Sequence, residues 1–159
     1  MRMRRRTIAC VSLLVTFAAC GGDDDGEADG RPANGVVFPA DYETSYTEVR
    51  DCRQGTQHGP DIRVFASSSA RGPYEDRADP FPEGAVLVKE ERFGNTDCTG
   101  PITQWTAMIR LADGSSPVTL DWTWQQVDPD RSVVGEDLPR CYECHVDCPD
   151  GYAGTCAPP

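Results

Sequence analysis

Cys141-Tyr142-Glu143-Cys144-His145 puts two thiols and an imidazole within five consecutive residues. Thiols at that spacing can each bond to one vinyl group of a porphyrin, and the adjoining imidazole can then reach the iron. The C-x-x-C-H pattern therefore predicts covalent attachment of a c-type haem. Haem c is the expected cofactor, with Cys141 and Cys144 as thioether sites and His145 as the proximal metal ligand. A rival chemistry uses the same thiols: Cys141, Cys144, His145 and Cys148 form a zinc-type donor set. The compartment separates the two, because exported chains seldom use that zinc chemistry.

The N-terminus predicts export. Arg2, Arg4, Arg5 and Arg6 precede an apolar run from Ile8 to Ala19, the basic and hydrophobic regions of a secretory signal over residues 1–19. A run that short does not cross a bilayer as a helix. It ends in Phe17-Ala18-Ala19-Cys20, followed by Gly21-Gly22, which resembles a bacterial lipobox with Phe where Leu is usual. Cys20 is thus the expected lipidation site and the first mature residue, and Cys10 is lost with the signal. The expected location is the bacterial cell envelope, at the outer membrane or the periplasmic face, held by the lipid. Residues 20–40 then read as the lipidated cysteine and a disordered acidic tether, because Gly21 to Gly35, with Asp23-Asp24-Asp25, has almost nothing to bury.

Charge narrows the partners. The whole chain carries −11, and cutting after Ala19 lowers the basic count from 15 to 11 against 26 acids, a net charge of −15. Such a surface repels phosphate backbones, so no nucleic-acid partner is expected. A basic redox partner protein suits it better, and a homodimer is a further candidate assembly.

The remaining chain is one domain of alternating patterns. Pro39-Ala40-Asp41 looks like a helix start, with Tyr42, Tyr46 and Val49 along one stripe, and that helix is expected to end near Arg53-Gln54-Gly55. Ile62, Val64 and Ala66 predict a strand, as do Val86 and Val88; a polar loop rich in Gly and Pro separates them. Trp105, Ala107, Ile109 and Leu111 form one face of a third strand. Val118, Leu120, Trp122 and Trp124 form one face of a fourth, joined to it through Asp113 to Pro117 as a hairpin with one buried face. The tryptophans run in phase with aliphatic residues and are expected to pack in the core.

Taken together, Tyr42/Tyr46, Ile62-Arg63-Val64-Phe65, the segment Phe81-Pro82-Glu83-Gly84-Ala85-Val86-Leu87-Val88-Lys89-Glu90, Met108-Ile109-Arg110, Asp121 to Trp124 and Cys141 to His145 resemble the cytochrome P-460 and cytochrome c′-beta family. The resemblance implies an exported haem protein of α+β class: mainly an antiparallel sheet, with a short N-terminal helix and a C-terminal haem-attachment segment. The haem domain is expected over residues 41–148, followed by a Cys/Pro/Gly-rich tail, 149–159. It also implies an iron with His on one side and an open or weakly filled position on the other. In hydroxylamine-oxidising members a lysine is joined to the porphyrin edge, which makes Lys89 a candidate cofactor-binding residue. Members usually continue past the haem histidine with a short apolar strand, whereas this chain runs on through Val146, Asp147 and Cys148 to Cys156.

Four cysteines remain, and Cys52, Cys98, Cys148 and Cys156 allow three pairings. The favoured one joins Cys148 to Cys156, stapling the tail, and Cys52 to Cys98. For the sixth iron position the mature chain offers one further histidine, His58, one methionine, Met108, and one lysine, Lys89. Glu90 and Asp121 are carboxylates that could move protons on the distal side. Three functions compete. The first is a membrane-anchored single-haem cytochrome that binds a small diatomic ligand or transfers electrons. The second is a hydroxylamine-type oxidoreductase at the same haem, and the third a haem-free, disulfide-stapled lipoprotein.

Overall fold

The computed structural model describes residues 35–54, 61–78, 80–93, 97–148, 152–156 and 158–159. The signal segment 1–19, Cys20, the tether as far as Asn34, and His58 lie outside the described residues. The chain folds as a six-stranded antiparallel sheet with a few short helices, a meander in which each strand pairs with the next. Its strands are β1 (Thr47–Gln54), β2 (Asp61–Ala66), β3 (Val86–Arg92), β4 (Ile102–Arg110), β5 (Trp122–Val127) and β6 (Val133–Glu136). The helices are α1 (Tyr42–Ser45), α2 (Ser68–Asp76) and α3 (Pro139–Val146). Among the described residues no helix is long and apolar enough to cross a membrane.

Strand alternation sends successive side chains to opposite faces of the sheet. On one face Phe65, Val86, Val88, Trp105, Ala107 and Val127 pack against Val36, Val37, Phe38 and Tyr42. On the other, Val64, Ala66, Leu87, Met108, Trp122 and Trp124 pack against Ala70 and Tyr74 of α2 and against Cys141 and Tyr142 of α3. The expected hairpin is therefore corrected. Met108 pairs with Trp124, so Trp122 and Trp124 face away from Trp105 and Ala107, and both faces are buried. Val118 and Leu120 are not in the strand; they belong to a short 3-10 turn, Pro117–Thr119, and the residue after it, both exposed.

Three further expectations change. The N-terminal helix is a single turn: Tyr42 belongs to it, but the chain leaves at Tyr46 in an extended conformation and residues 47–54 pair with β2. Local periodicity favoured helix, and strand pairing overrode it. The loop rich in Gly and Pro contains α2 despite Gly72 and Pro73, because Ala70 and Tyr74, one turn apart, both bury against the sheet. The packed domain also begins before residue 41. Val36 and Phe38 are fully buried, and Gln125 clamps this segment by accepting from the Val37 N–H at 3.0 Å and donating to the Gly35 carbonyl at 2.8 Å.

Candidate functional site

The end of β6 determines where α3 lies. Asp137 reaches back to β5, where its carboxylate accepts from the Trp124 N–H at 2.9 Å and the Thr123 hydroxyl at 2.7 Å. Two residues later Pro139 opens the helix, a first-turn position where its missing N–H costs nothing. Cys141, Cys144 and His145 then stand at i, i+3 and i+4, one face of α3. The His145 ring meets Trp124 edge-on, with centroids 6.0 Å apart. Cys141 is half-buried and Cys144 exposed; both are free thiols, whereas Cys52 is bonded to Cys98 and Cys148 to Cys156. Both bonded pairs are the favoured ones, and the Cys148 bond removes that thiol from the zinc-type set.

A pocket partly open to solvent lies between α3 and the sheet. Val64, Leu87, Met108 and Trp124 supply sheet-side walls, Tyr74 comes from α2, and Cys141 and His145 come from α3. Lys89 and Thr106 are its polar floor, with Thr155 and Cys156 closing one side. Lys89, Met108, Cys141 and His145, far apart in sequence, are thus brought to one cavity.

Polar groups around the pocket are specifically held. The His145 Nδ1–H donates to the Gly154 carbonyl at 2.6 Å, which makes Nε2 the nitrogen that carries the lone pair. Burial lowers the pKa of this imidazole and raises that of the Cys141 thiol. Lys89 is not a solvated strand end. It sits mid-strand in β3, and burial pushes its amine down to about 8 although Glu91 sits 3.3 Å away. Glu91 in turn accepts from Gln104 at 2.7 Å and from Thr106 at 3.2 Å.

Neither carboxylate expected at the iron reaches this cavity. Glu90 points to the opposite face, where it accepts from the Tyr42 hydroxyl and Arg92 and lies 3.5 Å from Arg63. Asp121 organises the loop before β5, accepting from the Gly114 and Ser116 N–H groups at 2.8 and 2.7 Å, and these bonds hold its pKa down. The residue missed is Glu91. A period of two from Lys89 already puts it on the pocket face, a signal that the strand pattern contained.

The residues fit a haem on three grounds. The motif thiols are unoxidised beside two disulfides, the walls are largely apolar, and His145 carries the carbonyl partner at Nδ1 that metal-ligating histidines use. No known protein family matches the chain, and neither does any curated protein.

Proposed function

We propose that this is an exported, lipid-anchored, single-haem c-type cytochrome that binds a small diatomic ligand or carries single electrons. The observation that carries the reading is the pocket that joins Cys141 and His145 to an apolar sheet face, with His145 tied through Nδ1. Cys141 and Cys144 would hold the cofactor covalently and His145 Nε2 would ligate its iron. Bound there, haem supplies a redox-active iron for ligand binding or one-electron transfer. Met108, Leu87 and Trp124 line the cavity from the sheet and would supply its apolar contact with the cofactor. Export is supported by the two disulfides, which belong to an oxidising compartment outside the cytoplasm.

The test is an optical spectrum of protein produced with a haem-attachment system. We expect covalent haem, a high-spin ferric resting state and rapid binding of carbon monoxide on reduction. A low-spin spectrum that becomes high-spin on Met108→Ala would move the protein to plain electron transfer. No covalent haem would leave the disulfide-stapled lipoprotein.

A second reading, oxidation of hydroxylamine or a related nitrogen compound, is favoured by Lys89. Its amine lines the pocket with a pKa of about 8, so a substantial fraction is neutral and nucleophilic near physiological pH. A third covalent link at Lys89 in the haem peptide, together with hydroxylamine turnover, would establish it.

A further inference from the structure

We propose that the tail segment Tyr152–Cys156 is a positioning arm for His145, fixing the tautomer and plane of its ring from outside the helix. This deepens the reading of His145 as proximal ligand and rests on it. The helix alone directs only the Cα–Cβ bond; the ring keeps its side-chain rotations and two neutral tautomers. The Gly154 carbonyl removes that freedom. A carbonyl can only accept, so its contact at 2.6 Å demands the proton on Nδ1 and leaves Nε2 to ligate.

A carbonyl on a loose tail could not do this. Three separate contacts hold this one. The Trp122 Nε1–H donates to the neighbouring Ala153 carbonyl at 2.7 Å, and Trp122 is itself 1% exposed and packed edge-on against Phe81 at 5.1 Å. Tyr152 and Thr155 exchange backbone hydrogen bonds at 3.0 and 2.8 Å, closing a tight turn with Gly154 at φ +83°. Cys156 is bonded to Cys148, three residues beyond His145. Turn and indole fit closely: a Cβ on Gly154 would stand 3.2 Å from Trp122 Cδ1 and Nε1. The route therefore runs from a buried tryptophan of β5, through the tail backbone, to the ring of α3.

Outer partners of metal-ligating histidines are worth about ten- to a hundredfold in metal affinity. Three proteins test the arm: the parent, Trp122→Phe, which keeps the ring but removes its N–H, and Cys148→Ser/Cys156→Ser. In haem-free protein at pH 8, nitrogen NMR of the His145 ring should show the Nδ1–H tautomer in the parent and a tautomer mixture in both variants. In haem-loaded, reduced protein, the variants should show an iron–histidine stretch at lower frequency than the parent. An unchanged tautomer in both variants, or loaded variants with the parent's iron–histidine stretch, would overturn the arm. If the double serine variant does not fold, Trp122→Phe decides alone. If the tautomer moves in the variants while the parent never attaches haem, the arm stands and the haem reading falls, which keeps the two distinguishable.

Discussion

On the sheet face that carries Trp105, the rings of Phe38, Tyr42, Phe65 and Trp105 lie with centroids 5.1 to 6.2 Å apart. The buried Glu90 there is surrounded by Tyr42, Arg92 and Arg63. On the face that carries Trp124, the same sheet borders a pocket and a buried lysine that pairs with Glu91. Space left beside apolar walls forgoes dispersion contacts, and a buried amine costs solvation. A sheet selected for stability alone would resemble the first face on both sides. The second face retains what a ligand can use.

The largest expected effect falls on the open face. Cys141→Ser/Cys144→Ser should abolish covalent haem completely, leaving it extractable into acid acetone, while the urea midpoint of the haem-free protein moves little; covalent haem in the double variant would refute the assignment. Next, Trp105→Ala should cost about 3–5 kcal/mol, and Trp124→Ala less than half of that, because Trp124 already borders space. Equal losses in urea titrations would erase the distinction between the faces.

Lys89 gives a pH-dependent contrast. Its folded pKa of about 8 lies below the ordinary 10.5, so between these values the unfolded chain binds more protons. Stability from this group therefore rises with pH from 8 toward 10.5, by at most about 3 kcal/mol, and the penalty is fully present below 8. Lys89→Met should be more stable than the parent at pH 7, and the gap should close by pH 10 in paired urea titrations. A gap that stays constant would show that the amine is solvated. The smallest effect belongs to Tyr42→Phe on the closed face, about 1–2 kcal/mol, because it strips one donor from Glu90 and the acceptor from the Trp105 N–H. A neutral result in thermal melts would mean that the remaining cations satisfy Glu90 alone.

The Cys141–His145 cluster was legible because it is local: one helical face holds all three residues, and five consecutive letters spell it. Alternation made β2, β3 and β4 legible too. What it could not supply was the phase between strands. Trp122 and Trp124 looked like partners of Trp105, yet pairing of Met108 with Trp124 assigns them to opposite faces. Residues 47–54 were misread for a related reason, since their strand exists through pairing with β2, a partner that local periodicity does not contain. Glu91 went unnamed beside Glu90 through the same neglect of phase. Val36 to Phe38 were assigned to the tether because acidic and glycine-rich neighbours hid three apolar residues.

Those three residues also set a direction. The chain enters the domain across the Phe38 face, and the pocket opens on the other side of the sheet. Fourteen residues lie between Cys20 and Gly35, a contour of at most about 54 Å. Acylation at Cys20 would therefore attach the leash to the sheet face opposite Cys141 and His145, so that the tether's entry point leaves the pocket uncovered.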